Sequence, residues 1–203
     1  MSAPKAMLRI APRSRKTFRC ARAILLICLV WTGSAVASTA VIDEISADAS
    51  GAASGESDAK RLASYRLMVP VVGTAKKNLI DTYNDRREGH PHEALDIPAP
   101  RGTPVVAAGD GRVVKLFRSA AGGLTVYQFD PSERFAYYYA HLDKYASGLA
   151  EGMILKRGDA IGAVGSTGNA SPGSPHLHFA VFRLGPEKKW WKGSPINPFP
   201  LLD

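Results

Sequence analysis

From residue 65 onward this chain is cut at short intervals by Gly and Pro, and its apolar residues come in brief clusters between the cuts. A stable amphipathic helix needs roughly 10–12 residues with apolar positions recurring every 3.6 and no such breakers, whereas a strand needs only about 4–8. The pattern therefore predicts many short strands: an all-β antiparallel sandwich or barrel. Val105-Val106-Ala107-Ala108 and Val113-Val114-Lys115-Leu116 read as two strands about the tight turn Gly109-Asp110-Gly111. Residues 124–129 and 135–141 flank Asp130-Pro131-Ser132-Glu133, a good type I turn sequence. Residues 161–164 and 176–183 read as further strands, and one short helix is expected near residues 142–147. Trp190-Trp191 is expected to pack a closing C-terminal segment, with lining of a substrate groove as the rival role.

Composition narrows the class. The 203 residues are 45% hydrophobic and 22% charged, enough apolar material for a core and too much for a disordered chain. The formal charge of +8 invites a nucleic-acid reading, but seven of the 26 basic residues lie in residues 1–37, which hold no acid. The remainder carries 19 basic and 18 acidic residues, a net +1, so no nucleic-acid partner is expected. The seven basic residues lead into the apolar run 23–31, followed by Ala35-Val36-Ala37. That is the order of a secretory signal peptide, and the stretch 23–37 is shorter than the ~20 residues that span a bilayer. Residues 1–37 are expected to be a signal peptide, 38–64 a flexible linker rich in Ser, Ala and Gly, and 65–203 a single domain. Export places that domain in the periplasm or outside the cell, membrane-anchored if the signal is not cleaved. Both cysteines, Cys20 and Cys28, fall in the leader, so an exported domain has neither disulfide nor thiolate. A metal site would have to use His and carboxylates.

Four of the five histidines sit at spacings that carry chemistry. His92 and Asp96 are four apart, sharing a face of an extended chain, with Glu93 pointing away. His176 and His178 are two apart, on one face of a strand. His141 ends a run in which Tyr137 and Tyr139 are expected to share its face. His92, Asp96 and one of His176 and His178 can supply three zinc ligands, leaving a fourth position for water. The remaining histidines can then move protons or steady charge. A helical zincin variant, with Glu93 as base, is opposed by Pro98 and Pro100. His90 reads as a loop residue at the rim.

Over residues 67–198 the chain resembles the lysostaphin/LytM-type zinc metallopeptidases, which cut cell-wall peptides. The resemblance rests on His92-Glu93-Ala94-Leu95-Asp96, on Gly102-Thr103-Pro104-Val105-Val106-Ala107 with Gly111-Arg112-Val113, on Tyr139-Ala140-His141-Leu142, and on Gly165-Ser166-Thr167-Gly168 before His176-Leu177-His178-Phe179. It implies a duplicated hybrid β fold with an open groove, Zn2+ held by His92, Asp96 and His178, and catalytic roles for His141 and His176. It implies hydrolysis of peptide bonds in peptidoglycan stem or cross-link peptides. Ala94 stands where that family usually has Gly; its methyl group can narrow the backbone approach there, although Ala is the smallest change available. The segment 81–87 lacks the family's usual wording, and Tyr83 is a stand-in for its oxyanion tyrosine. Two other readings compete: a non-catalytic regulator partnering a wall hydrolase, and a sugar-transport phosphocarrier module. Degenerate regulators lose ligands that are intact here, and the export signal opposes the cytoplasmic carrier.

Overall fold

Eleven strands among the described residues carry the architecture, and their pairing follows the alternation of apolar and polar side chains. The computed structural model describes residue 58, residues 60–87 and residues 89–203. The expected signal peptide lies outside the described residues, as does most of the expected linker.

The nine-stranded sheet runs β11 (Gly193–Ile196), β10 (His176–Leu184), β7 (Phe135–Tyr145), β6 (Gly123–Phe129), β5 (Gly111–Ser119), β8 (Ile154–Leu155). Three more strands join off that path: β3 (Leu95–Pro98) on β10, and β4 (Pro104–Val106) on β9 (Ala160–Val164), which in turn pairs with β7. All these pairings are antiparallel, as the short connections allow. A separate two-stranded ribbon, β1 (Arg86–Arg87) with β2 (His90–Pro91), stands beside it.

Period-2 alternation sorts the two faces of the sheet. Tyr137 and Tyr139 of β7 and Leu177, Phe179 and Val181 of β10 enter one continuous apolar core. The intervening Tyr138, His176 and His178 face the other way, into a groove. Asp130 makes the β6–β7 turn by accepting the N–H groups of Ser132, Arg134 and Phe135, with the Glu133 N–H donating back to the Asp130 carbonyl. Tyr139 and Gln128 are buried but satisfied: the tyrosine hydroxyl donates to Oε1 of Gln128 and accepts the Ala108 N–H.

Three local expectations are corrected. Residues 142–145 continue β7 as strand rather than starting a helix, because Leu142 is buried and Leu142, Lys144 and Tyr145 pair with β9. The segments before and after the Gly109–Gly111 turn are strands, yet they do not pair: β4 lies on β9 and β5 on β6 and β8. Residues 60–64, assigned to the linker, are helical, and Leu62 is part of the core. Asp58, 3% exposed, is held by Arg134 at 2.8 Å and Arg183 at 3.1 Å, so the folded body begins before residue 65.

Candidate metal centre

The sheet register assembles the site. His178 lies opposite Asp96 on one side of β10 and opposite Ala140 on the other, so β3, β10 and β7 present their groove-facing side chains at one level. His92 comes from just outside β3. Glu93, with φ +56°, turns the chain between His92 and the strand, so the two ligand candidates do not ride on one regular extended segment. Glu93 is exposed, as expected.

Nε2 of His92, Oδ1 of Asp96 and Nδ1 of His178 form a triangle with all three sides 3.1 Å. Donors placed tetrahedrally about 2.0–2.1 Å from a zinc ion would be about 3.3–3.4 Å apart. The donor set, two imidazole nitrogens and one carboxylate oxygen without sulfur, therefore fits zinc in both chemistry and spacing.

Neighbours orient each donor. The Nδ1–H of His92 donates to the Thr82 carbonyl at 3.0 Å, which leaves Nε2 as a lone-pair donor. The Thr82 hydroxyl oxygen accepts the Asp96 N–H at 3.0 Å. Oδ2 of Asp96 takes a 2.8 Å ion pair from Arg87, leaving Oδ1 for the triangle. Burial works against ionised Asp96, but hydrogen bonds from His178 and His92 hold its carboxyl far below the ordinary range. Burial also disfavours charged His92, yet Asp96 outweighs it and raises this imidazole, whereas burial wins at His178 and lowers it.

His141 reaches the groove by a departure from regular strand. Simple alternation puts it on the core face with Tyr137 and Tyr139; instead the register shifts between the Leu124–Leu142 and Val126–Tyr139 pairs of β6 and β7, and His141 takes φ +60°. The expectation of a shared face with the two tyrosines is thereby corrected. The His141 ring lies 4.9 Å from that of His176 and 5.6 Å from that of His178. Its Nδ1–H donates to the Thr167 carbonyl at 2.8 Å, and burial pushes its pKa down to about 4. Thr167 is itself clamped: its hydroxyl donates to the Leu142 carbonyl and accepts the Leu124 N–H. The clamp depends on Gly168, at φ +78°, where a Cβ would lie 2.2 Å from the Ala121 carbonyl oxygen. His176 matches this arrangement, with Nδ1–H donating to the Ser174 carbonyl at 3.0 Å.

The structure thus brings together His92, Asp96, His141, His176 and His178. They line an open groove of about 670 Å³, with His90, Arg86 and Arg87 of the β1–β2 ribbon and Tyr138 at its wall. His90 is exposed at this rim, as expected, but in strand β2 rather than in a loop, because it pairs with Arg87 of β1. Tyr83 is not among the lining residues; its carbonyl accepts the Glu93 N–H. The Ala94 side chain is buried, 1% exposed. Sequence reasoning missed Thr82, Arg87 and Thr167. A segment 81–87 lacking the family wording and a glycine-rich approach marked the places but not the atoms.

The model of peptidase family M23 matches residues 90–198. The chain is 33% identical over 116 residues to an L-Ala--D-Glu endopeptidase of Bacillus subtilis, a match covering 55% of this chain and 34% of that protein. It is 36% identical over 92 residues to the peptidoglycan DD-endopeptidase ShyB of Vibrio cholerae, covering 45% of this chain and 20% of that protein. The chain therefore spans about a third or less of these curated relatives. Among solved structures, Helicobacter pylori Csd3 superposes with TM-score 0.53 at 31% identity, over 68% of this chain and 33% of that one. Lysostaphin of Staphylococcus simulans does so with TM-score 0.53 at 26% identity, over 68% and 53%.

Proposed function

The chain belongs to peptidase family M23, and from that premise we propose that it is a zinc metalloendopeptidase that hydrolyses peptide bonds of peptidoglycan. The observation that carries the reading is the 3.1 Å triangle of His92, Asp96 and His178 facing a groove that also holds His141 and His176. The names of the relatives, an L-Ala--D-Glu endopeptidase and a peptidoglycan DD-endopeptidase, support the substrate class.

His92, Asp96 and His178 would hold the ion. Zinc there would supply a Lewis acid that polarises the scissile carbonyl and acidifies the attacking water. The remaining steps belong to the chain's own atoms. His141 has its Nδ1–H committed to Thr167, so its Nε2 carries a lone pair toward the groove. With a pKa near 4 the ring is neutral at neutral pH and can accept the water's proton at Nε2. The same proton can pass to the leaving amine. His176, fixed by Ser174, turns Nε2 to the same space, where a protonated ring would donate to the tetrahedral oxyanion. Arg87, at 2.8 Å from Oδ2 of Asp96, keeps that carboxylate aimed with Oδ1 toward the triangle. A binding role without chemistry has no use for this oriented set.

The N-terminal sequence supports export, so the substrate would be met in the periplasm or outside the cell. The test is purified full chain incubated with peptidoglycan, products resolved by chromatography and mass spectrometry, with bound metal measured on the same preparation. New free amino termini that vanish with a chelator and return with zinc are expected. Undiminished cleavage by metal-free protein would rule the mechanism out.

A further inference from the structure

An unbroken series of ring contacts leads from the candidate metal centre across the groove-side face of the sheet to the protein surface. Tyr138 of β7 sets its ring edge-on to His178 at 5.9 Å. Tyr127 of β6 follows at 4.6 Å from Tyr138, then Trp190 at 4.8 Å from Tyr127. Trp190 touches Phe117 of β5 at 5.4 Å and Trp191 at 5.2 Å. Strand alternation puts Tyr138 on the face opposite the main core, which is filled by Tyr137 and Tyr139. Trp190 covers a small second apolar cluster around Phe129, Ala136 and Leu184, in keeping with the expected packing role. Trp191 at 62% exposed and Phe117 at 40% exposed do not fit that role. They extend the apolar strip into solvent, where large aromatic side chains in a contiguous row mark a binding surface.

We propose that Tyr138, Tyr127, Trp190, Trp191 and Phe117 form a docking strip for the sugar backbone of the polymer whose peptides enter the histidine groove. The proposal rests on the peptidoglycan reading above and says how the polymer is held beside the cleavage site. A pyranose ring presents a flat C–H face with a rim of hydroxyls. The polarised C–H groups suit the negative face of an aromatic ring, while the hydroxyls remain in water or meet polar neighbours. Tyr and Trp offer both halves of that contact on rigid side chains with few torsions to freeze. Next to Trp190 and Trp191, the β10–β11 connection frames a cavity of about 360 Å³ lined by Lys188, Lys189, Lys192 and Ser194. These groups provide donors to hydroxyls and to the carboxylates that stem peptides carry. The continuity with the groove is what favours a sugar strand: a substrate threaded past His178 has its backbone delivered along the same face. A bilayer would instead call for an apolar face free to insert, and Tyr127 and Tyr138 are recessed in the sheet.

The test uses peptide-free glycan strands, which contain no bond the enzyme can cut, so binding is read independently of turnover. Titration into the full chain should change tryptophan emission saturably. Trp191→Ala, and the double variant with Phe117→Ala, should weaken binding on the order of tenfold or more. Both should keep the melting temperature and bound zinc of the parent. Equal binding by parent and variants would overturn the proposal, as would no binding by the parent. Binding to phosphatidylglycerol vesicles without binding to glycan strands would assign the strip to a membrane and overturn it equally. A chain that binds strands through Trp191 yet cleaves no peptidoglycan would refute the peptidase reading and leave the docking strip standing.

Discussion

The Thr167 carbonyl and the His141 ring are joined by a 2.8 Å hydrogen bond from Nδ1, and His141 makes it from a left-handed backbone conformation. A non-glycine residue at positive φ is held there only by its surroundings. Here the surroundings are Thr167, pinned by Leu124 and Leu142, and the Gly122 carbonyl, which accepts the His141 N–H at 2.8 Å. The result is an imidazole whose groove-side nitrogen is selected before any substrate arrives.

The two histidines of β10 should separate on mutation. His178→Ala removes a corner of the donor triangle, so bound zinc and cleavage should both fall. His176→Ala leaves the triangle whole, so zinc should stay while the rate drops on the order of 10²-fold or more. Metal content, melting temperature and peptidoglycan cleavage measured on both variants check this; a His176→Ala protein without zinc beside a zinc-replete His178→Ala protein would reverse the assignment.

Thr82→Val should weaken zinc binding without touching a ligand. The hydroxyl that accepts the Asp96 N–H is lost, while the backbone carbonyl serving His92 remains. Loss of such an orienting partner costs about 10–100-fold in metal affinity. Competition with a chelator of known affinity reads the change, and Thr82→Ser should restore it.

In metal-free protein the imidazoles should titrate apart. Proton NMR should find His92 above its ordinary 6.5, because Asp96 outweighs the effect of burial, and His141 near 4, because burial disfavours its charge. The unfolded chain then binds the His141 proton more readily than the fold does. Stability from this residue is full above pH 6.5 and is lost as pH falls toward 4, by up to about 3 kcal/mol. His92 contributes in the opposite sense, its stabilisation present at low pH and lost as pH rises through its raised pKa. A denaturant series at several pH values should show the net loss on acidification, and His141→Gln should flatten it.

Removing the helical residues before Tyr65 should destabilise the domain. Leu62 is fully buried in the core, and Leu62→Ala should cost about 2–5 kcal/mol. Asp58 joins the same segment to Arg134 and Arg183. Thermal melts of chains beginning at 58 and at 65 measure the difference; equal melting temperatures would return this stretch to the linker.

Much of the site was legible because its chemistry is local. Two histidines at i and i+2 share a face in any strand, and His176 and His178 do. The Asp130 turn worked because its side chain caps its own next few N–H groups. Failures came where distant chain intervened. Residues 142–145 became strand because β9 offered them a partner, and the segments around Gly109 separated because each found a better neighbour than the other.

By itself, then, the amino-acid sequence determined the strand-rich texture, the absence of cysteine beyond residue 28, and which side chains could serve as ligands. These follow from residue type and period-2 alternation, which act within a few positions. Tertiary structure alone decided that β10 would lie between β3 and β7, setting His178 level with Asp96, and that His141 would turn out of the core face. It also recruited Thr82, Arg87 and Thr167, whose roles depend on a carbonyl, a hydroxyl or a guanidinium arriving within about 3 Å of a histidine or aspartate far along the chain or across a turn. Register and bulges are set by the packing of the whole sheet, and no short stretch of sequence contains that information.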